Sequence, residues 1–324
     1  MSSRRVAIGV DIGGTKIAVG ALSFEGELLA RTTIATRTAQ GFDGAMARIA
    51  GAARQVMRAG KVNRAELVGI GVGCSGPVDP ERGEVNNPFT LPGWEGGNIV
   101  AVLARALAVP VWLENDADVA ALGEYHDGAG AGADVLAMLT FGTGVGGALI
   151  IRGEIYRGTG GQHPEIGHVP VAARGAACYC GRRGCLESIA SGPALAAAAA
   201  RASLAGPADV FSAAAAGDRA AQRILKPVTQ AVGAAAWALG HAYAPARLVL
   251  GGGLVEVQPD FFLRAARAAV GGRRLVSGSP LDVAVARLGN RAGLIGAARW
   301  ALARAGARGS RSPARVRPSR KLFT

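Results

Sequence analysis

Little in this chain would staple it or insert it into a membrane. Four cysteines and four histidines are spread over 324 residues, and only 5% of the residues are aromatic. Four cysteines do not make a disulfide framework for a chain of this size. Three of them crowd into one segment, which favours a metal over bridges and a reducing cytoplasm as the setting. Cys74 stands apart and reads as a small buried residue. No secretory leader is visible, because Asp11 and two glycines break the apolar run that follows Arg4 and Arg5. The uncharged stretch 135–151 is interrupted by glycines and threonines, and it is shorter than the ~20 residues of a membrane span. No membrane partner is expected. Neither a Walker A loop nor a G-x-G-x-x-G opening a helix after the first strand occurs, so the P-loop and dinucleotide-binding classes are excluded.

Acid is missing from the C-terminal end. The formal charge is +13, and Arg308, Arg311, Arg315, Arg317, Arg320 and Lys321 supply six of those charges, leaving +7 for the body. Residues 306–324 combine this charge with Ser, Pro and Gly and no apolar periodicity, which predicts a disordered basic tail. No aromatic interleaving or binding module accompanies it, so no specific nucleic acid is expected. The positive field of the body suits an anionic substrate such as a nucleotide.

What is abundant is apolar residues, half of the chain, and glycine, 49 residues. The length allows two domains. Residues 6–11, 16–22 and 28–36 read as antiparallel strands joined by turns. A helix is expected over 45–58, a strand over 67–74 and irregular chain over 75–97. A helix over 99–107, a strand over 109–114 and a helix over 117–126 follow. Two strands joined by glycines occupy 134–155. Helices are expected over 193–205, 208–215, 219–240, 259–270 and 293–305, with a strand running into a glycine turn over 247–254 and a last strand over 281–288. Strands first, then strands alternating with helices, predict an α/β chain of two lobes. The boundaries drawn are 1–117 for a small lobe, with 290–305 packing back on it, and 118–289 for a larger one. No repeat of period 20–50 is visible, although the lobes can be cryptically related.

Five stretches carry chemistry. Asp11-Ile-Gly-Gly-Thr-Lys16 ends a buried strand. Gly13 and Gly14 let backbone N–H groups face phosphate oxygens, Thr15 and Lys16 add a hydroxyl and a charge, and Asp11 suits Mg²⁺. Residues 139–147, LTFGTGVGG, form a second glycine turn with Thr143 and Gly144, and the pair makes a phosphate clamp. Gly251, Gly252 and Gly253 follow a strand and permit close approach of a flat ligand, or simply a turn. Glu114-Asn115-Asp116 lies at a strand-to-helix junction, where Asp116 is either a general base or a helix N-cap. Asp118 complements the helix dipole. Finally, residues 163–187 read HPEIGHVPVAARGAACYCGRRGCLE. Cys178, Cys180 and Cys185 in C-x-C-x4-C spacing, with His168 ten residues upstream, make a tetrahedral zinc set in a loop bent at glycines. Glu165 and Glu187 bracket the set. With His168 they form a polar cup for a polyol, the free nitrogen of a zinc-bound His168 facing the sugar. His163 is a competing ligand or, more simply, an exposed loop histidine.

These motifs together resemble the ROK family of repressors, uncharacterised reading frames and sugar kinases, a branch of the actin-like ATPase superfamily. The resemblance rests on DIGGTK at 11–16, GCSGPVD at 73–79, LENDADVAALGE at 113–124, FGTGVGG at 141–147 and PEIGH…CYCGRRGCLE over 164–187. It implies an α/β, two-lobed actin-like ATPase (ribonuclease H-like) fold with a zinc-bound loop in the larger lobe. It implies ATP-dependent phosphorylation of a hexose hydroxyl, glucose first, by an enzyme that is a homodimer or larger homo-oligomer. Asp116 would be the base; Ser75, Gly76, Thr90, Asn115, Glu165, His168 and Glu187 would hold the sugar. Asp11, Gly13, Gly14, Thr15, Lys16, Thr143, Gly144 and Gly251–Gly253 would surround Mg-ATP, and His168, Cys178, Cys180 and Cys185 would bind structural Zn²⁺. Two departures bear on the sugar. Thr90 stands where the family carries a sugar-binding Asn, with Asn86 and Asn87 as substitutes. His163-Pro164 is similar to the fructokinase branch, which usually changes part of the cysteine cluster, intact here. A fructokinase and an N-acetylhexosamine or mannose kinase are the alternatives. A sugar-responsive repressor is disfavoured, since a helix-turn-helix domain would precede the core and Asp11 comes too early for one.

Overall fold

β1 (Val6–Ile12) and β2 (Lys16–Ser23) form a hairpin closed by the Gly13–Gly14 turn, and β3 (Leu28–Ala35) extends it antiparallel. The computed structural model describes residues 4–310 except 272–274, 276, 277 and 279. Helix α1 (Gly41–Ala59) leads to β4 (Leu67–Cys74), which runs parallel to β1. Residues 75–97, expected to be irregular, contain two short strands and the start of a third: β5 (Val78–Asp79), β6 (Glu84–Val85) and β7 (Gly97–Asn98) pair into a small sheet. Strands of two residues are too short to show an alternating pattern. Helix α2 (Ile99–Leu107) starts where the Asn98 side chain accepts the Ala101 N–H at 2.8 Å. β8 (Val111–Asn115) then pairs parallel with β4, giving the order β3-β2-β1-β4-β8.

Helix α3 (Asp116–Asp127) connects to the second sheet. β9 (Val135–Phe141), β10 (Val145–Ile151) and β11 (Glu154–Ile155) are again successive antiparallel strands. The cysteine segment and four helices follow: α4 (Leu186–Ala190), α5 (Gly192–Arg201), α6 (Pro207–Ala215) and α7 (Arg219–Tyr243). β12 (Arg247–Gly251) lies parallel to β9, α8 (Gly253–Val257) and α9 (Pro259–Val270) cross back, and β13 (Asp282–Val285) pairs parallel with β12. The glycine turn expected at the end of this strand falls after Gly251, where Gly252 turns the chain at φ 90° into α8. The sheet order is β11-β10-β9-β12-β13. Both sheets follow one plan, two antiparallel hairpins and then two parallel strands, although no repeat is visible in the residues.

Helix α10 (Ala292–Ser310) closes the chain. It was expected to stop at residue 305, so the first residues of the expected tail are helical, and the rest of that tail, 311–324, lies outside the described residues. α10 packs on β1, β4 and α3. Small residues make this approach possible. A Cβ built on Gly9 or Gly71 would overlap a carbonyl of α10, and one on Gly296 would overlap the Val119 carbonyl of α3. The other face of the first sheet buries Met46, Ile49, Val56, Ile99 and Leu103 from α1 and α2. At roughly 1.5–3 kcal/mol for each fully buried large side chain, that face anchors the lobe. α3 covers one face of the second sheet through Ala121 and Leu122, and α4–α7 and α9 cover the other. The layers thus run α1/α2, first sheet, α10 and α3, second sheet, remaining helices. No helix among the described residues is long and apolar enough to cross a membrane.

Candidate active site

The two hairpin turns and the β8–α3 junction open onto a cleft between the sheets. One cavity, of about 460 Å³, is walled by Ser75, Gly76, Thr90, Asn115, Asp116, Thr143, Gly144, Glu165, His168 and Glu187. A second, of about 680 Å³, is walled by Asp11, Gly13, Gly14, Thr15, Lys16 and Gly253. Ser75, Thr90, Asp116 and Thr143 line both. Gly252 also faces the first. Gly251 does not reach either wall in the same way: it is the buried last residue of β12, packed against Met138 and Ala286.

Asp116 is fixed at both oxygens. Oδ2 accepts from the Ser75 hydroxyl at 2.7 Å and Oδ1 from the Ala117 N–H at 2.8 Å. Burial raises its pKa against the pull of those hydrogen bonds and of His163. Asp116 is not the helix cap. Asn115 is the N-cap, its Oδ1 accepting from Ala117 at 2.8 Å and Asp118 at 3.4 Å. Asp116 is left in the first turn facing the cleft. Asp11, at the end of β1, has its pKa pushed to about 7, first by burial and then by the Asp116 charge, with Lys16 opposing. Two part-buried carboxylates facing one cavity offer the oxygen donors a hard divalent cation takes, so Asp11 and Asp116 fit Mg²⁺.

Asp118 lies in the first turn of α3, as expected, but it is also paired, and His163 is not an exposed loop residue. Asp118 is fully buried, and its Oδ2 lies 2.6 Å from Arg157 Nη1 and 2.8 Å from His163 Nδ1. Arg157 also reaches Glu114 Oε1 at 2.5 Å. A carboxylate without solvent needs such partners. His163 therefore lies over Asp118 on the wall of the first cavity and apart from the cysteine set. Burial lowers its pKa, but the bond to Asp118 and the charges of Asp118 and Glu165 outweigh that and raise it.

His168, Cys178, Cys180 and Cys185 converge, with ligand atoms all within 4.8 Å of one another. Cys178 Sγ is 3.3 Å from His168 Nδ1 and Cys180 Sγ is 3.6 Å from Cys185 Sγ. Those spacings are close to the edges of a tetrahedron with metal–ligand bonds of about 2.0–2.3 Å, so the donors fit zinc. The loop closes on itself through Gly184, whose φ of 73° no other residue adopts readily and whose Cβ would overlap the Ala172 carbonyl. Glu187 ties this loop to the second glycine turn by accepting the Val145 N–H at 2.8 Å.

Thr90 reaches the cavity, but Asn87 is no substitute for a sugar-binding Asn. Its Nδ2 donates to Ser75 O at 3.0 Å and Thr90 Oγ1 at 2.6 Å, and its Oδ1 accepts from the Phe89 and Thr90 N–H groups at 3.0 Å. Its amide is thus used to shape the loop. The Asn86 side chain accepts from Gly96 N–H at 3.2 Å. Three participants carried no signal in the sequence. Arg157 is a lone charge between strands. Asn290 accepts from Lys16 Nζ at 3.0 Å and donates to Glu256 at 2.7 Å. Tyr179 stands 3.0 Å from His168 Nε2.

Two similar sheets, a cleft with paired glycine turns and a carboxylate at their meeting point define an actin-like phosphotransferase architecture. The ROK family profile matches residues 7–304, and the chain belongs to the ROK family. It is 33% identical over 314 residues to a glucokinase of Halalkalibacterium halodurans, covering 91% of this chain and 94% of that protein. Among solved structures it resembles a ROK hexokinase from Thermus thermophilus, with a TM-score of 0.81, 35% identity and coverage of 93% and 99%. It also resembles a ROK glucokinase from Streptomyces griseus solved with glucose and AMPPNP, with a TM-score of 0.74, 32% identity and coverage of 92% and 99%.

Proposed function

We infer that the protein is an ATP-dependent hexose kinase that converts glucose to glucose 6-phosphate. The observation that carries this reading is that Asp116 lines both cavities. The first cavity suits the sugar: Asn115, Glu165, His168 and Glu187 offer donors and acceptors to several hydroxyls at once. The second suits the nucleotide phosphates, with the Gly13–Gly14 turn, Thr15, Lys16 and Gly253 around it. The relatives' glucokinase activity is consistent with that division.

The chain's own groups then do the following. The glycine turns hold phosphate oxygens by backbone N–H groups, and Lys16 adds charge. Asp116, with Ser75 on one oxygen and Ala117 N–H on the other, accepts the proton of the attacking hydroxyl, and its raised pKa makes it a better base than a solvated carboxylate. Asp11 and Asp116 would hold Mg²⁺, which would supply charge neutralisation for the transferring phosphoryl group. His168, Cys178, Cys180 and Cys185 would hold zinc, which would fix the loop that presents Glu165, His168 and Glu187. Coupled ATP consumption with glucose, fructose, mannose, N-acetylglucosamine and N-acetylmannosamine tests the reading. Glucose is expected to give the highest kcat/KM, and a higher value with fructose would assign the fructokinase alternative.

A further inference from the structure

Two aromatic rings meet across the mouth of the first cavity. Phe89 belongs to the loop shaped by Asn87, on the side of the first sheet. Tyr179 lies between Cys178 and Cys180, on the side of the second. Their centroids are 5.4 Å apart and their planes tilt by 36°. Both rings line the cavity, and both are largely exposed, at 69% and 67%. Neither belongs to a core, so burial in the fold gives no reason for two large rings at this place. Each is held in position. Asn87 accepts the Phe89 N–H at 3.0 Å, and the two neighbours of Tyr179 in the chain both belong to the zinc set.

Tyr179 also engages His168. Its hydroxyl is 3.0 Å from His168 Nε2, and its ring meets the imidazole edge-on at 4.9 Å and 90°. Since Cys178 Sγ lies 3.3 Å from Nδ1, Nδ1 is the nitrogen turned to the metal set. Nε2 is then what His168 offers to the cavity. The Tyr179 hydroxyl occupies the place where an acceptor hydroxyl would bond that nitrogen.

We propose that Tyr179 and Phe89 are acceptor-binding residues that form an aromatic clasp over the sugar. The Tyr179 hydroxyl holds Nε2 in the sugar-free protein and gives it up to a sugar hydroxyl. Its ring and that of Phe89 then cover the apolar C–H face of the ring, as aromatic side chains with one polar end are suited to do. The clasp favours a flat pyranose with equatorial hydroxyls, whose C–H faces are continuous, over a furanose. The two rings come from the two sides of the cleft and already meet over its mouth, so a sugar held beneath them is screened from water beside Asp116. This inference rests on the first cavity being the acceptor site.

The test uses the zinc-loaded full chain and the variants Tyr179→Ala, Tyr179→Phe, Phe89→Ala and the double alanine. Sugar and ATP KM, kcat and sugar-independent ATP hydrolysis are measured, together with glucose binding by calorimetry without ATP. Either alanine variant should raise glucose KM and Kd roughly tenfold, the loss expected for one aromatic contact. ATP KM should stay within about twofold, kcat should fall less than KM rises, and the preference for glucose over fructose should narrow. The double variant should lose less than the product of the singles, because each ring supports the other. Tyr179→Phe should keep the glucose–fructose preference. Zinc content checks that the loop is intact, and Phe89→Ala lies outside that loop and reads the clasp independently. If the wild type phosphorylates glucose and both alanine variants keep its KM and Kd within twofold, the clasp is overturned while the kinase reading stands. If the wild type binds glucose but phosphorylates no hexose, the kinase reading falls and the variants' Kd still decides the clasp. A wild type that binds no hexose overturns both.

Discussion

The division of labour among three consecutive residues, Glu114, Asn115 and Asp116, decides what this site can do. Asn115 caps α3 and thereby frees Asp116 from that duty. Glu114 is turned inward to Arg157. Of these three, Asp116 alone lines both cavities. The cap-or-base ambiguity could not be settled from spacing, because Asn and Asp cap helices about equally well. The same limit hid His163. A histidine before a proline reads as a loop residue, and nothing local announces that a buried Asp118, 45 residues earlier, needs a partner. That pairing has a pH signature. His163 has a pKa raised above its ordinary 6.5, so its contribution to stability is complete below that value and is lost as the pH rises through the raised one. The urea midpoint of wild type should exceed that of His163→Gln by most near pH 6, and the margin should shrink by about pH 9. An equal margin at both pH values would contradict a protonated His163–Asp118 pair.

At the scale of elements, strands and helices of ordinary length were legible because their apolar periods are long enough to read: β1, β4, β9, α7 and α9 fall close to where their patterns place them. The small sheet that starts in residues 75–97 was not legible, because strands of two residues show no period, whereas the turn that ends β12 was announced by its glycines, Gly252 taking the positive φ. α10 depends on small residues at its contacts. A Gly296→Ala variant forces a methyl into the Val119 carbonyl and should cost about 1–3 kcal/mol or more in urea denaturation; a change within about 0.5 kcal/mol would mean α10 and α3 do not approach as described. The cysteine loop was the most legible element, since ligand type and spacing are local. The purified chain should carry one zinc per chain by elemental analysis, and Cys185→Ser, which replaces a buried ligand, should release it and raise glucose KM. Zinc-free wild type of full activity would remove the metal from the loop.

For the whole molecule, one five-stranded plan occurs twice, and the cleft is the space between the copies. Each copy brings a glycine turn from its first hairpin, Gly13–Gly14 and Gly142–Gly144, so the proposed phosphate clamp draws on the same position in both sheets. The family resemblance reached this architecture through motifs, whereas residue patterns alone gave only α/β with two lobes. The shared strand order is a property of pairing between distant segments, which no window along the chain displays. The central claim is that the two cavities meet at Asp116, where a sugar hydroxyl is deprotonated for phosphoryl transfer. Glucose 6-phosphate formation from ATP and glucose, compared between wild type and Asp116→Asn at matched zinc content with glucose Kd measured for both, tests it most directly. The account predicts sustained turnover by the wild type and a kcat lower by roughly 10³-fold in the variant, with glucose Kd changed only a few-fold. A variant that turns over within tenfold of wild type would remove Asp116 from the reaction.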